Sequence, residues 1–150
     1  MISILVLYHS QECGNTHAMA QAVGRGAREA GAEVDLVNTN ERRMDVEAYR
    51  RYDAVAFGSP DYYSYIAGGL KVFLDDWHIA KGRNAAGLTD KRYALFYSHG
   101  GGGAVRGPLE KLFGGMGAKV GQTVESRGKP DEAVLAACRE LGRQLVAAAG

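Results

Sequence analysis

The fold is decided by residues 2–16, which read ISILVLY and then HSQECGNT. The first seven residues are an apolar run without clean alternation, which is typical of a strand buried on both faces of a parallel sheet. The next eight are polar, and after them apolar residues recur at helical spacing from Met19 to Ala30. The chain is therefore predicted to begin with a buried strand, a polar loop and an amphipathic helix.

The same alternation of strand and helix continues to the end of the chain. Further apolar runs of strand length lie at Glu33–Val37, Ala54–Gly58, Tyr93–Tyr97 and, more weakly, Ala118–Val124. Apolar stripes predict helices over 70–77, 109–116 and 134–145, with a short helix at Met44–Arg51. Strict alternation implies right-handed crossovers and a parallel sheet, and five strands are too few for an eight-stranded barrel. We predict one α/β domain over residues 1–150, with helices on both faces of an open, doubly wound sheet.

Composition and charge narrow the class of protein. Eighteen Lys and Arg residues oppose seventeen Asp and Glu residues, and the net charge of +1 gives no support to nucleic-acid or membrane-surface binding. The first apolar run is too short to span a membrane and precedes no signal-cleavage pattern, so no membrane insertion is expected. Two cysteines, Cys13 and Cys138, are too few for a disulfide framework, and the four histidines lack metal-ligand spacing. We expect a cytoplasmic protein with reduced thiols, no metal site and no catalytic side chain.

Three loops follow the first, third and fourth strands, at the sheet edge where ligands bind. The first loop, residues 9–16, offers the hydroxyls of Ser10 and Thr16 and the free N–H groups of a helix start, a setting that binds phosphate. No Lys or Arg precedes Arg25, so an anion here would rest on hydroxyls and N–H groups alone. The alternative is a plain capped helix, with Ser10 and Thr16 closing the turn. Glu12 would repel a phosphate unless it points to solvent, and we interpret it as a solvated loop charge.

The second loop, residues 58–65, reads GSPDYYSY and places three tyrosines at the mouth of the sheet. A flat aromatic ligand would explain them, because aromatic faces stack on planar rings. The alternatives are a lid over the adjacent helix or a contact between two subunits, so a homodimer is one candidate state.

The third loop, residues 98–103, reads SHGGGG. Glycines there permit positive φ and let main-chain donors approach a ligand closely. His99 is either a proton donor or a polar loop residue, and the glycine run is otherwise a flexible loop.

Taken together, the three loops resemble those of the flavodoxin-like FMN proteins, which include short-chain flavodoxins and flavodoxin-like quinone reductases. The resemblance covers almost the whole chain. The stretches that carry it are Tyr8-His9-Ser10 with Gly14-Asn15-Thr16, Gly58-Ser59-Pro60-x-Tyr62 leading into Gly69-Leu70-Lys71-x-Phe73-Leu74-Asp75, and Ser98-His99-Gly100-Gly101-Gly102.

The resemblance implies a three-layer sandwich around a five-stranded parallel sheet in the order 2-1-3-4-5. It implies FMN as cofactor, with the ribityl phosphate at the first loop and the isoalloxazine ring between the second and third loops. The cofactor-binding residues that it implies are Ser10, Gln11, Cys13, Gly14, Asn15, Thr16, Ser59, Pro60, Asp61, Tyr62, Tyr63, Ser98, His99, Gly100, Gly101 and Gly102.

This sequence departs from the family pattern in three ways. The first loop has three residues, Gln11, Glu12 and Cys13, where the family usually has two. The third loop has no tryptophan or tyrosine, and the chain lacks the strongly acidic charge of typical electron carriers, whose partners dock on a negative surface.

The resemblance favours a small FMN protein that passes electrons between redox partner proteins or to a small quinone-like acceptor. The alternative is an NAD(P)H-dependent FMN or quinone reductase, which the second loop resembles, although those enzymes are usually longer. A flavin-free binding or regulatory module is the alternative from another class, because the extra residue and Glu12 alter the first loop.

Overall fold

The computed structural model describes all 150 residues. The parallel strands are β1 Ser3–Tyr8, β2 Glu33–Asn38, β3 Ala54–Pro60, β4 Lys91–His99, β5 Gly117–Lys119 and β6 Val124–Arg127. The helices are α1 Asn15–Glu29, α2 Val46–Tyr49, α3 Gly68–Arg83, α4 Arg106–Leu112 and α5 Glu132–Ala149. The sheet runs in the order β2-β1-β3-β4-β5, and β6 also pairs with β4. The predicted α/β architecture and strand order are confirmed.

The predicted fifth strand, Ala118–Val124, is two separate strands. Its first part lies within β5, which pairs with Lys91–Tyr93, and its last residue begins β6, which pairs with Phe96–His99. The chain turns away from the sheet between them, where Gly121 has a φ of +67°. The nine-residue β4 is long enough to pair with both strands in succession, so the break leaves the parallel order unchanged.

The sheet is buried on both faces, as its continuous apolar strands predicted. In β1, the side chains of Ile4 and Val6 face α1 and α5, and those of Leu5 and Leu7 face the layer that contains α3. All four side chains are fully buried. A three-layer sandwich follows, because each face of the sheet needs a layer of helices to cover it.

The helices α1 and α5 cross at glycines. A Cβ added at Gly26 would lie 1.8 Å from the carbonyl oxygen of Arg139, and one added at Gly142 would lie 2.0 Å from that of Val23. No side chain fits at such separations, so the two glycines set how closely the helices approach. None of the helices has the length and apolar character needed to cross a lipid bilayer.

We predict that Gly142→Ala destabilises the protein although alanine is the better helix former. Overpacking of this kind costs about 1–3 kcal/mol, which outweighs the gain of about 1 kcal/mol in helix propensity. Urea denaturation measures the free energy of unfolding. Gly82→Ala on α3 is the matched control, because a Cβ there meets nothing within 4 Å. A Gly142→Ala variant as stable as Gly82→Ala would contradict the close crossing.

Candidate functional site

The carboxyl ends of the central strands surround a cavity of about 500 Å³. The three predicted loops meet there because β1, β3 and β4 are neighbours and parallel, so their last residues share one edge. The lining residues are Ser10, Gln11, Glu12, Cys13, Gly14, Asn15, Thr16, Pro60, Asp61, Tyr62, Ser98, His99, Gly100 and Gly128.

The first loop is held in place by a side chain from the neighbouring strand. The Ser10 N–H donates to Asn38 Oδ1 at 3.0 Å, and Asn38 Nδ2 donates to the Ser10 carbonyl at 3.0 Å. Both residues are buried, so their polar groups need partners within the protein. The Asn38 side chain supplies these hydrogen bonds to Ser10 where the backbone pairing of β1 with β2 ends. Asn38 was not predicted from the sequence. An amide side chain directly after an apolar run at this edge is a signal for such a pair of hydrogen bonds to the neighbouring loop.

The extra residue of the first loop is absorbed in a tight turn. The Gly14 N–H donates to the Gln11 carbonyl at 3.0 Å, and Gly14 has a left-handed φ of +69° as the N-cap of α1. Gln11 is also held from the other side, because its Oε1 lies 3.0 Å from His9 Nε2. The three residues between Ser10 and Gly14 are therefore held by hydrogen bonds at the tip of the loop, directly before the start of α1.

The N-cap residue of α1, Gly14, has no side chain to cap the helix, and the Ser10 hydroxyl caps one N–H of the first turn, as the capped-helix alternative expected. The Ser10 hydroxyl accepts from the His17 N–H at 3.2 Å, and the Thr16 and Ser98 hydroxyls share a hydrogen bond of 2.8 Å. No hydrogen bond within the protein uses the N–H groups of Glu12, Cys13, Asn15 or Thr16. These donors belong to residues that line the cavity and point to a bound anion, because helix-start N–H groups favour negative charge.

The second loop is a two-residue hairpin. Tyr62 and Tyr65 exchange N–H···O bonds of 3.1 Å, and Tyr63 and Ser64 between them have φ values of +55° and +63°. Positive φ at both central positions is the hairpin geometry that usually requires Gly or Asn. Asp61 supports it, since Oδ1 accepts from the Ser64 N–H at 2.8 Å.

The hairpin divides its tyrosines between the cavity and solvent. Tyr62 lines the cavity and its ring meets that of His9 edge-on, with centroids 6.0 Å apart. Tyr63 is fully exposed at the tip. Burial, and secondarily the Glu12 carboxylate, raises the pKa of Tyr62, so its phenol stays neutral and the ring presents an uncharged aromatic wall.

The third loop begins with two buried side chains that point in opposite directions. Ser98 faces α1 through its bond to Thr16, whereas His99 lies beside Tyr97 with ring centroids 6.0 Å apart. The His99 carbonyl accepts from the Gly128 N–H at 2.7 Å. A Cβ at Gly100, Gly101 or Gly102 would meet nothing within 4 Å, so no steric contact requires glycine at these positions. Their effect is to leave the backbone of the loop uncovered by side chains.

Four predicted site residues lie outside the cavity lining. Ser59 is fully buried and accepts from the Ala67 N–H at 3.1 Å, so it shapes the second loop from within. Tyr63 points to solvent, and Gly101 and Gly102 lie farther along the third loop. The other twelve predicted residues line the cavity.

Two lining residues were not predicted as binding residues. Glu12 is exposed, as expected for a solvated charge, but it also lies on the cavity wall. Gly128 follows β6, and the signal that could have found it is the Gly-Lys-Pro sequence after the last strand, whose end must share the edge of the others. The lining contains no Lys or Arg, so the site is neutral to acidic.

A family model described as Flavodoxin matches residues 6–142. The chain belongs to the flavodoxin family. FMN, the cofactor that the sequence resemblance implied, is the cofactor of this family.

Curated relatives of this chain are named NAD(P)H dehydrogenase (quinone). One from Archaeoglobus fulgidus is 34% identical over 98 residues, which are 50% of this chain and 51% of that protein, so the match spans about half of its length. One from Methylocella silvestris is 29% identical over 198 aligned positions, covering 100% of this chain and 98% of the relative. That alignment is longer than this chain, so the relative has inserted residues that this chain lacks.

Among solved structures, a flavodoxin from the domain Archaea superposes with a TM-score of 0.81. The two chains are 23% identical, and the match covers 99% of each. This likeness concerns the fold.

The cavity fits FMN on its own chemistry. Unpaired N–H groups and the hydroxyls of Ser10 and Thr16 suit a phosphate, and Tyr62 suits the face of a planar ring. Ser98, Gly100 and Gly128 bring backbone to the far wall.

We predict that Glu12→Gln tightens FMN binding about threefold to tenfold, because it removes a like charge near the phosphate, worth about 1 kcal/mol in a solvated site. Fluorescence quenching of FMN measures the dissociation constant, with Glu33→Gln at the opposite sheet edge as the control for charge. Riboflavin, which lacks the phosphate, should bind both variants like the wild type. Equal tightening for riboflavin would contradict a phosphate at this loop.

Proposed function

We propose that this chain binds FMN in the cavity at the carboxyl edge and passes electrons between redox partner proteins. The observation that carries the proposal is the start of α1, whose unpaired N–H groups line the cavity together with an aromatic wall at Tyr62. These paired features match the two ends of FMN, a phosphate and a planar ring.

In this proposal the first loop binds the phosphate through Ser10, Gln11, Cys13, Gly14, Asn15 and Thr16. Pro60, Asp61 and Tyr62 hold one side of the ring, and Ser98, His99 and Gly100 hold the other. When bound, FMN supplies one- and two-electron redox chemistry, and the protein positions the ring and tunes it electrostatically. Buried contacts fix the walls, since Thr16 and Ser98 join the first and third loops by one hydrogen bond.

Ser59 acts from behind the second loop. Its hydroxyl accepts from the Ala67 N–H and donates to the Pro60 carbonyl at 2.7 Å, which fixes the exit from β3. Tyr63, Gly101 and Gly102 lie at the outer rim and would meet a docking partner before the flavin. The exposed Tyr63 is the contact that we propose for a homodimer.

A carrier is favoured over a reductase by the inserted residues that this chain lacks. The Methylocella relative named NAD(P)H dehydrogenase (quinone) aligns over 198 positions, against 150 residues here. The names of the curated relatives favour the alternative, an NAD(P)H-dependent FMN or quinone reductase. Both cysteines are free thiols, in keeping with the cytoplasmic location expected from the sequence.

Kinetic assays with the FMN-loaded protein distinguish the two functions. We expect rapid electron exchange with a flavin-dependent donor enzyme and a haem acceptor, and NADPH oxidation with a quinone no faster than free FMN supports. Steady NADPH oxidation that scales with protein concentration would contradict the carrier and establish the reductase. FMN-free protein is the control in both assays.

A further inference from the structure

The most unusual polar group beside the cavity is the His99 imidazole. Its side chain is only 5% exposed, yet neither Nδ1 nor Nε2 has a hydrogen-bond partner. A buried polar group without a partner costs about 1–3 kcal/mol, so such groups are rare in folded proteins. The site described above uses the backbone of the third loop and gives this imidazole no function.

A carboxylate lies within reach of the unpartnered ring. Glu125 Oε2 on β6 is 3.6 Å from His99 Nε2, and the Tyr97 hydroxyl donates to the same oxygen. Glu125 is half exposed, so the cluster has a route to solvent protons through a group that itself accepts them. We name His99, Glu125 and Tyr97 the β4–β6 cluster.

The glycine loop closes directly over this cluster. A Cβ at Gly103 would lie 3.3 Å from His99 Nε2 and 3.2 Å from Glu125 Oε2. His99 lines the cavity itself, and its carbonyl accepts from the N–H of Gly128, a second lining residue beside it. A change in the charge of the cluster therefore acts directly on this part of the cavity wall.

The charged surroundings favour a responsive imidazole. Glu125 faces His99 from β6, Arg106 on α4 lies near Tyr97 and Glu125, and Asp61 of the second loop lines the same cavity. Hydrogen bonding from Tyr97 lowers the pKa of Glu125, and burial together with the bond to Glu125 raises the pKa of Tyr97 to about 12. Glu125 is thus ionised and Tyr97 neutral around neutral pH, so an anionic carboxylate lies beside the unpartnered Nε2 of His99.

We propose that the β4–β6 cluster takes up a proton on His99 when the bound flavin is reduced and releases it when the flavin is reoxidised. This inference rests on the proposed function. Electrons arrive from the redox partner, and the proton comes from solvent to the imidazole, which then forms an ion pair with Glu125. Added negative charge in the cavity favours the charged imidazolium, and by linkage the imidazolium raises the potential of the flavin. His99 is a positioning residue in this scheme, because it acts by its charge and through the loop.

Potentiometric titration of the FMN-loaded protein between pH 5 and 8 tests the proposal. Uptake of one extra proton for each two electrons makes the midpoint potential depend more steeply on pH. The added slope is up to about 30 mV for each pH unit. We expect His99→Gln to lose this extra slope and His78→Gln, an exposed histidine on α3, to keep it. Glu125→Gln removes the carboxylate that would pair with the imidazolium, so it should move the steep segment to lower pH. Because Glu125 is half exposed, this change leaves the core intact.

A second readout does not depend on electron transfer. NMR titration of the His99 imidazole should give a higher midpoint in the reduced than in the oxidised complex. Identical midpoints, or a wild-type slope in His99→Gln, would overturn the proposal while FMN binding and electron transfer stand. Failure of the wild type to bind FMN would overturn this proposal and the proposed function together.

Discussion

The strand order around β1 is the constraint on which the rest of the molecule depends. The chain moves from β1 outward to β2 and then returns past β1 to β3, so the connections on either side of β1 run in opposite directions. Loops that leave neighbouring strands in opposite directions open a crevice at the carboxyl edge. The cavity lies there, and its first wall is the loop that leaves β1.

In the proposed complex, that wall would hold a phosphate without the help of a cation. Two hydrogen bonds from the Asn38 side chain fix Ser10, and Gly14 turns the chain into α1. The start of the helix then presents N–H groups that no other group of the protein uses. Neutral donors fix the position of a phosphate through geometry, whereas a lysine would add long-range attraction of little specificity. Glu12 on the same wall would repel a phosphate, so the proposed affinity would depend on how well the donors are placed.

Most of the fold and the position of the cavity could be predicted from sequence, because both depend on patterns among residues that are close together in the chain. Continuous apolar runs mark doubly buried strands, and the ends of parallel strands must share an edge. The break between β5 and β6 could not be predicted, since it depends on the length of β4 and on Gly121 rather than on apolar character. Nor could the roles of neighbouring tyrosines be separated, because the hairpin turn that sends Tyr62 inward and Tyr63 outward depends on Asp61. The approach of Glu125 to His99 is a contact between distant residues that no local pattern encodes.

Amide NMR of the isotopically labelled, flavin-stripped protein during titration with FMN tests the central claim most directly, because it reports on each backbone N–H. We expect the largest shifts at residues 11–16, with further shifts at 60–62 and 98–100. Riboflavin should reproduce the shifts at the second and third loops and leave those of the first loop small. Shifts confined to another surface, or equal shifts of the first loop with riboflavin and FMN, would contradict a phosphate site at the start of α1.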